Sequence, residues 1–166
     1  MATQIFDNEI VRAHPIFKDA PSSLADVSKH DYSQNPFDCR IECLDMDSYE
    51  SNFVNHGSND STMDVTIGVA DFDGYRKSNS TLLMVELRLG YQSMRNVKAE
   101  SLNKKVLHTL ELLNPAEYSV SKNAVFVFAE NVLQQARSWL ARFGHSNHTG
   151  KDWVVMSPQI FNKAYM

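Results

Sequence analysis

Residues 63–91, MDVTIGVADFDGYRKSNSTLLMVELRLGY, read as two β-strands joined by a polar turn, and the rest of the chain is organised around them. In the first arm Val65, Ile67 and Val69 alternate with Thr66, Gly68 and Ala70, the period-two pattern of a strand. In the second, Leu82, Leu83, Met84, Val85, Leu87 and Leu89 form a nearly continuous apolar run, which predicts a strand buried on both faces. Asp73-Gly74 and Lys77-Ser78-Asn79-Ser80 supply turn chemistry between the arms, because Gly tolerates positive φ and Asn and Ser bond to their own backbone. Glu86 and Arg88 interrupt the apolar arm at strand spacing. A charge in a buried strand is costly unless it is paired or holds a metal, so this interruption is the strongest functional signal in the chain.

On the N-terminal side, FDCRIECLDM (37–46) alternates Cys39, Ile41 and Cys43 with Asp38, Arg40 and Glu42, as a strand with one polar face would. Asp45, Asp47 and Glu50 lead into a Ser-, Asn- and Gly-rich segment that reads as a loop and lacks the acid and glycine spacing of an EF-hand. Residues 1–36 read as an irregular or helical segment: a short helix over 8–13 stopped at Pro15, a helical turn over 22–29, then a polar link to Pro36.

On the C-terminal side, 96–113 is the clearest helix, with Leu102, Val106, Leu110 and Leu113 at helical spacing and Lys98, Lys104, Lys105 and His108 on or beside its other faces. Asn114-Pro115 ends it, since the residue before a proline is pushed out of the α region. Residues 123–129, NAVFVFA, read as an interior strand, and 130–143 as a second helix with Val132, Leu133, Ala136, Trp139, Leu140 and Phe143 on its apolar face. A short strand at 152–156 follows, then a tail containing Ile160, Phe161 and Tyr165. Strands near 37–44, 64–71, 82–90, 124–129 and 152–156 with two interspersed helices predict an α/β (α+β) fold, a central mixed β-sheet flanked by helices.

With 166 residues and 43% hydrophobic content, the chain has the length of one well-buried domain. No apolar run is long enough for a membrane span, and Asp7 and Glu9 fall where a secretory signal needs an apolar core, so the expectation is a cytoplasmic protein without membrane partners. Cys39 and Cys43 lie too far apart along a strand for an easy disulfide and are expected as buried, reduced thiols. The net charge of −4 is unevenly spread: residues 1–80 carry 14 acids and 6 bases, residues 81–166 carry 6 acids and 10 bases. Carboxylates in one half and phosphate-binding cations in the other suit a metal-dependent enzyme acting on nucleic acid.

Met63-Asp64 and Glu86-Leu87-Arg88, 22 positions apart from acid to acid, resemble the signature of the PD-(D/E)XK restriction-endonuclease-like superfamily, and residues 37–157 are similar to its order of strands and helices. Antiparallel pairing would bring the start of one arm beside the end of the other, so that both carboxylates reach one cation. The resemblance implies a restriction-endonuclease-like fold and a metal-dependent nuclease acting on nucleic-acid phosphodiesters. Its implied catalytic residues are Asp64, Glu86 and Arg88, with Asp64 and Glu86 holding Mg²⁺ or Mn²⁺. The chain departs from the pattern with Arg88 in place of Lys and with no proline before Asp64.

Further candidate carboxylates are Asp71, Asp73 and, on the polar face of the first strand, Glu42; His145 and His148 read as part of a surface loop. The alternative is an inactive interaction or inhibitor protein of the immunity type on the same scaffold. Its acidic residues between 38 and 73 would then face a protein partner.

Overall fold

A computed structural model of the chain describes residues 3–29, 36–54 and 61–165. In chain order it contains β1 (Thr3–Phe6), α1 (Asn8–Ala13), α2 (Ile16–Asp19), β2 (Pro21–Ser23), α3 (Leu24–Ser28), β3 (Glu42–Asp45) and α4 (Met46–Tyr49). A π-helical turn over Glu50–Val54 follows, then β4 (Val65–Phe72), β5 (Lys77–Arg88), α5 (Ala99–Leu113), β6 (Val120–Phe128), α6 (Leu133–Phe143), β7 (Asp152–Met156) and α7 (Pro158–Ala164).

The strands make one seven-stranded mixed sheet in the order β2-β3-β4-β5-β6-β7, with β1 also paired to β4. β4 and β5 form the expected antiparallel hairpin, with Val65 opposite Val85 and Ile67 opposite Leu83. β5, β6 and β7 are parallel, joined by α5 and α6 as crossovers. Both crossover helices pack on the same sheet face, where Leu102, Val106 and Ala136 meet Leu82, Met84, Phe126 and Phe128. The other face carries Ile67, Val85, Leu87, Val125 and Val127 against Leu24, Phe37, Phe161 and Tyr165, which places α3 and α7 there. Because successive strand residues point to opposite faces, a run apolar at every position, such as 82–85, is what a helix-sheet-helix sandwich requires of its central strand.

The hairpin turn is tighter than the sequence predicts. Asp73 Oδ1 accepts the Tyr75 and Arg76 amides, and Gly74 takes φ of 100°, so the reversal is complete by Arg76. Lys77-Ser78-Asn79-Ser80 therefore belongs to β5, with Asn79 at φ 52° beside a register shift between Val69 and Asp71.

Several other expectations need correction. The N-terminal segment is not only irregular or helical: β1 continues along the edge of β4 that β3 leaves free, and β2 pairs with β3. Gly68 permits this. The chain crosses directly over it from β1 into α1, with the Asp7 amide on the Gly68 carbonyl at 2.7 Å, and a Cβ at 68 would collide with the Asp7 carbonyl and the Ile10 side chain. The strand expected over 37–44 begins only at Glu42, after a turn that leaves Cys39 exposed and Cys43 buried; both are free thiols. Residues 46–54, expected as loop, are helical, and so is most of the C-terminal tail.

The Ser22–Lys29 helical turn is shared between β2 and α3. The polar link at 30–35 and the loop residues 55–60 lie outside the described residues. Of the apolar positions expected on the two long helices, Leu110, Trp139 and Leu140 are only partly buried and Phe143 is exposed, because the outer flank of each helix faces away from the sheet. No helix among the described residues is long and apolar enough to cross a membrane.

Candidate functional site

The hairpin register sets Asp64, one residue before β4, across from Glu86 and Leu87 near the end of β5. Two hydrogen bonds lock this end: the Asp64 amide donates to Glu86 Oε1 at 3.1 Å, and the Leu87 amide donates to Asp64 Oδ2 at 2.7 Å. Glu86 shares its face with Leu82 and Met84, so its side chain enters the layer beneath α5, where it is 1% exposed. Such a buried carboxylate requires compensation. Arg88, two residues on and on the same face, reaches Glu86 Oε2 through Nη2 at 2.6 Å, and Lys105 of α5 reaches the same oxygen at 2.8 Å. The Arg88 guanidinium also lies 4.8 Å over the Tyr91 ring and bonds the Tyr91 hydroxyl, while the Tyr91 ring meets Phe128 edge-on.

Helix α5 ties the site together. Lys105, His108 and Thr109 lie at i, i+3 and i+4, so they share one flank of the helix. Lys105 holds Glu86, His108 Nε2 meets Glu50 at 2.9 Å, and the Thr109 hydroxyl accepts the Met63 amide at 2.7 Å. Met63 precedes Asp64, so that last bond also fixes where Asp64 begins. From the other direction α4 brings in Asp47, whose Oδ1 accepts the Thr62 hydroxyl at 2.5 Å and whose carboxylate is hydrogen-bonded to that of Asp64.

Asp64 is pushed well above the usual carboxylate range, first by loss of hydration, then by the charge on Glu86, with the Leu87 amide opposing and Asp47 adding to the shift. Asp47 is raised as well, chiefly by loss of hydration and by Glu86, although the Thr62 and Asp64 hydrogen bonds and Lys105 pull it down. The residue as a whole is exposed, but its carboxylate faces Thr62 and Asp64. Loss of hydration thus raises both carboxyls, Asp64 strongly.

Two clefts open on this arrangement. One of about 390 Å³ is lined by Asp64, Glu86, Leu87, Arg88, Tyr91 and Lys105. A second of about 410 Å³ is lined by Asp45, Asp47, Ser48, Ser51, Asp64 and Leu87. Asp64 and Leu87 form the wall common to both.

Asp64, Glu86 and Arg88 thus converge, and the other candidates do not. Glu42 is engaged by Arg12, Asp71 by Asn79 and Gln4, and Asp73 by the hairpin turn. His145 and His148 are exposed. Lys105, Asp47 and Tyr91 are site residues that motif reading misses. Lys105 has a signal in principle: with Leu102, Val106, Thr109 and Leu113 buried, position 105 falls at the border of the buried stripe, whereas Lys104 falls opposite it and pairs with exposed Glu100. Among the described residues, no group of three or more His, Cys, Asp or Glu side chains is disposed to hold a metal ion. No family model, curated protein or solved structure matches the chain.

Proposed function

We propose that the chain is a restriction-endonuclease-like, metal-dependent nuclease acting on nucleic-acid phosphodiesters, with Asp64 and Glu86 as cation ligands and Arg88 and Lys105 as phosphate-facing cations. The observation that carries this reading is that two acids and two bases, from the entry to β4, from β5 and from α5, line one open cleft. Mg²⁺ characteristically keeps several waters and uses only one or two protein carboxylates, so a site without a third acid still suits it. The raised Asp64 is consistent with the same ion, because loss of hydration first, and then the charges of Glu86 and Asp47, disfavour its ionised form in the absence of a cation. Mg²⁺ or Mn²⁺ bound there would supply Lewis-acid activation of a phosphodiester and a water.

The remaining roles belong to the chain itself. Arg88, clamped between Glu86 and the Tyr91 ring, is a fixed cation suited to charge developing on a phosphoryl oxygen. Lys105 supplies the compact ammonium that Arg88 cannot, delivered from the helix instead of the strand, and positions a water or phosphate oxygen beside Glu86.

The test is metal-dependent cleavage of plasmid, single-stranded DNA and RNA substrates at low salt. Asp64→Asn, Glu86→Gln and Lys105→Ala are each expected to lower the rate by about 10²-fold or more. Arg88→Lys is expected to preserve or raise it. A wild-type protein that binds neither Mn²⁺ by calorimetry nor any nucleic acid at low salt, where electrostatic attachment is strongest, would overturn the proposal. The interaction or inhibitor protein would then stand in its place.

A further inference from the structure

Beyond Arg88 the chain turns through residues 89–98 before α5 begins, and this connection is chemically distinct from its surroundings. Between Glu86 and Glu100 the only charged side chains are Arg88, Arg95 and Lys98. Gln92, Ser93 and Asn96, all exposed, line with Tyr91 a depression of about 380 Å³. Tyr91, whose ring Arg88 and Phe128 hold in place, also lines the Asp64–Glu86 cleft and so borders both hollows. The segment itself carries cations at 95 and 98 and no acid. The hollow itself offers neutral amides, which match the donor and acceptor edge of a nucleobase better than a phosphate. Its volume falls at the small end of the range that holds a compact ligand, about 300–1,000 Å³. It is walled by turns, with no helix or ribbon that would enter a duplex groove, so a base reaches it only when splayed out of the stack.

We infer that the strand running out of the Asp64–Glu86 cleft passes Tyr91 and lodges one unpaired base between Gln92, Ser93 and Asn96, with Arg95 and Lys98 on its phosphates. The substrate is accordingly a single strand or a frayed end, not a continuous duplex. This rests on the nuclease reading above.

The experiment is fluorescence anisotropy with labelled single-stranded DNA and RNA oligonucleotides of fixed length and a hairpin duplex of equal length, alongside cleavage of each. The single strands are expected to bind about tenfold or more tighter than the duplex. The double variant Gln92→Ala/Asn96→Ala should weaken single-strand binding about tenfold, the usual worth of an amide-to-base pairing, and flatten differences among homopolymer strands, while leaving duplex binding unchanged. Arg95→Ala and Lys98→Ala should each reduce the slope of log affinity against log salt by about 0.7, without altering base preference. Unchanged thermal unfolding of these exposed-site variants excludes a folding defect as the cause. If wild type cleaves nucleic acid but binds duplex as well as single strand, or the double variant binds like wild type, the base hollow is overturned and the nuclease reading survives. If no nucleic acid is bound at all, both fall.

Discussion

Asp64→Asn is expected to stabilise the fold at pH 8 while abolishing the proposed activity. In the unfolded chain an aspartate titrates near its ordinary value of about 3.9; in the folded chain Asp64 is raised by loss of hydration, by Glu86 and by Asp47. Between those two values the folded state binds more protons than the unfolded one, so stability falls as pH rises. The favourable contribution is full below about pH 4 and is lost as pH climbs through the raised value. Asparagine keeps an acceptor for the Leu87 amide, which lies at 2.7 Å from Asp64 Oδ2, carries no charge to desolvate, and can present N–H to Asp47.

Relief of a destabilised functional site is commonly worth about 0.5–2 kcal/mol. For a domain of this size each kcal/mol moves Tm by about 2–4 °C, so a rise of about 1–8 °C is expected at pH 8 and none at pH 4. Thermal unfolding in EDTA across this range is the assay. In saturating Mg²⁺ the wild type should recover the deficit, since a ligand bound only by the native state adds stability by mass action, and the variant should not. A variant whose advantage is absent at pH 8, or equal at both pH values, would refute the crowding of Asp64.

Glu86→Gln should have the opposite sign: it strands Arg88 and Lys105 against a neutral partner in a largely buried pair of contacts, costing about 3 kcal/mol in urea unfolding. Gly68→Ala should cost more than about 3 kcal/mol, because the clash is with the Asp7 backbone and not a side chain that can swing away, and loss of the β1 pairing should be visible in amide exchange at residues 69–72. His14 is buried, with Nδ1 accepting the Ile16 amide and Nε2–H donating to the Leu113 carbonyl, and burial lowers its pKa. The unfolded chain then binds more protons, so this contribution is present above about pH 6.5 and lost as pH falls below it; His14→Gln should flatten the stability profile between pH 5 and 7.

The hairpin was readable because both of its determinants are local. A two-residue period assigns faces and Asp73-Gly74 places the reversal, but the register at the turn, Phe72 opposite Lys77, would set Asp64 opposite Val85, and only the one-residue shift between Val69 and Asp71 moves it opposite Glu86. β1 and β2 were not readable for the converse reason. TQIF and PSS are too short to show a period, and they become strands only because β4 and β3 offer edges to pair with. The tail's helix combines a local start, with Ser157 capping the Ile160 amide and Pro158 in the first turn, and a tertiary contact, with Phe161 buried against Phe37.

The site divides along the same line. Asp64, Glu86 and Arg88 are found by strand periodicity, but an acid buried to this depth needs more positive charge than its own strand supplies next to it, and that demand points off the strand. Only a helix crossing over β5 can answer it, and α5 does so with Lys105 while its neighbours His108 and Thr109 grip Glu50 and the Met63 amide. The same helical turn that neutralises Glu86 thereby places the start of β4, so Asp64 and Lys105 cannot be displaced independently. This explains why the two acids should respond oppositely to neutralisation. Glu86 is anchored by two cations and loses both, whereas the Asp64 carboxylate is anchored by the Leu87 amide and loses only the cost of its burial and its repulsion by its neighbours.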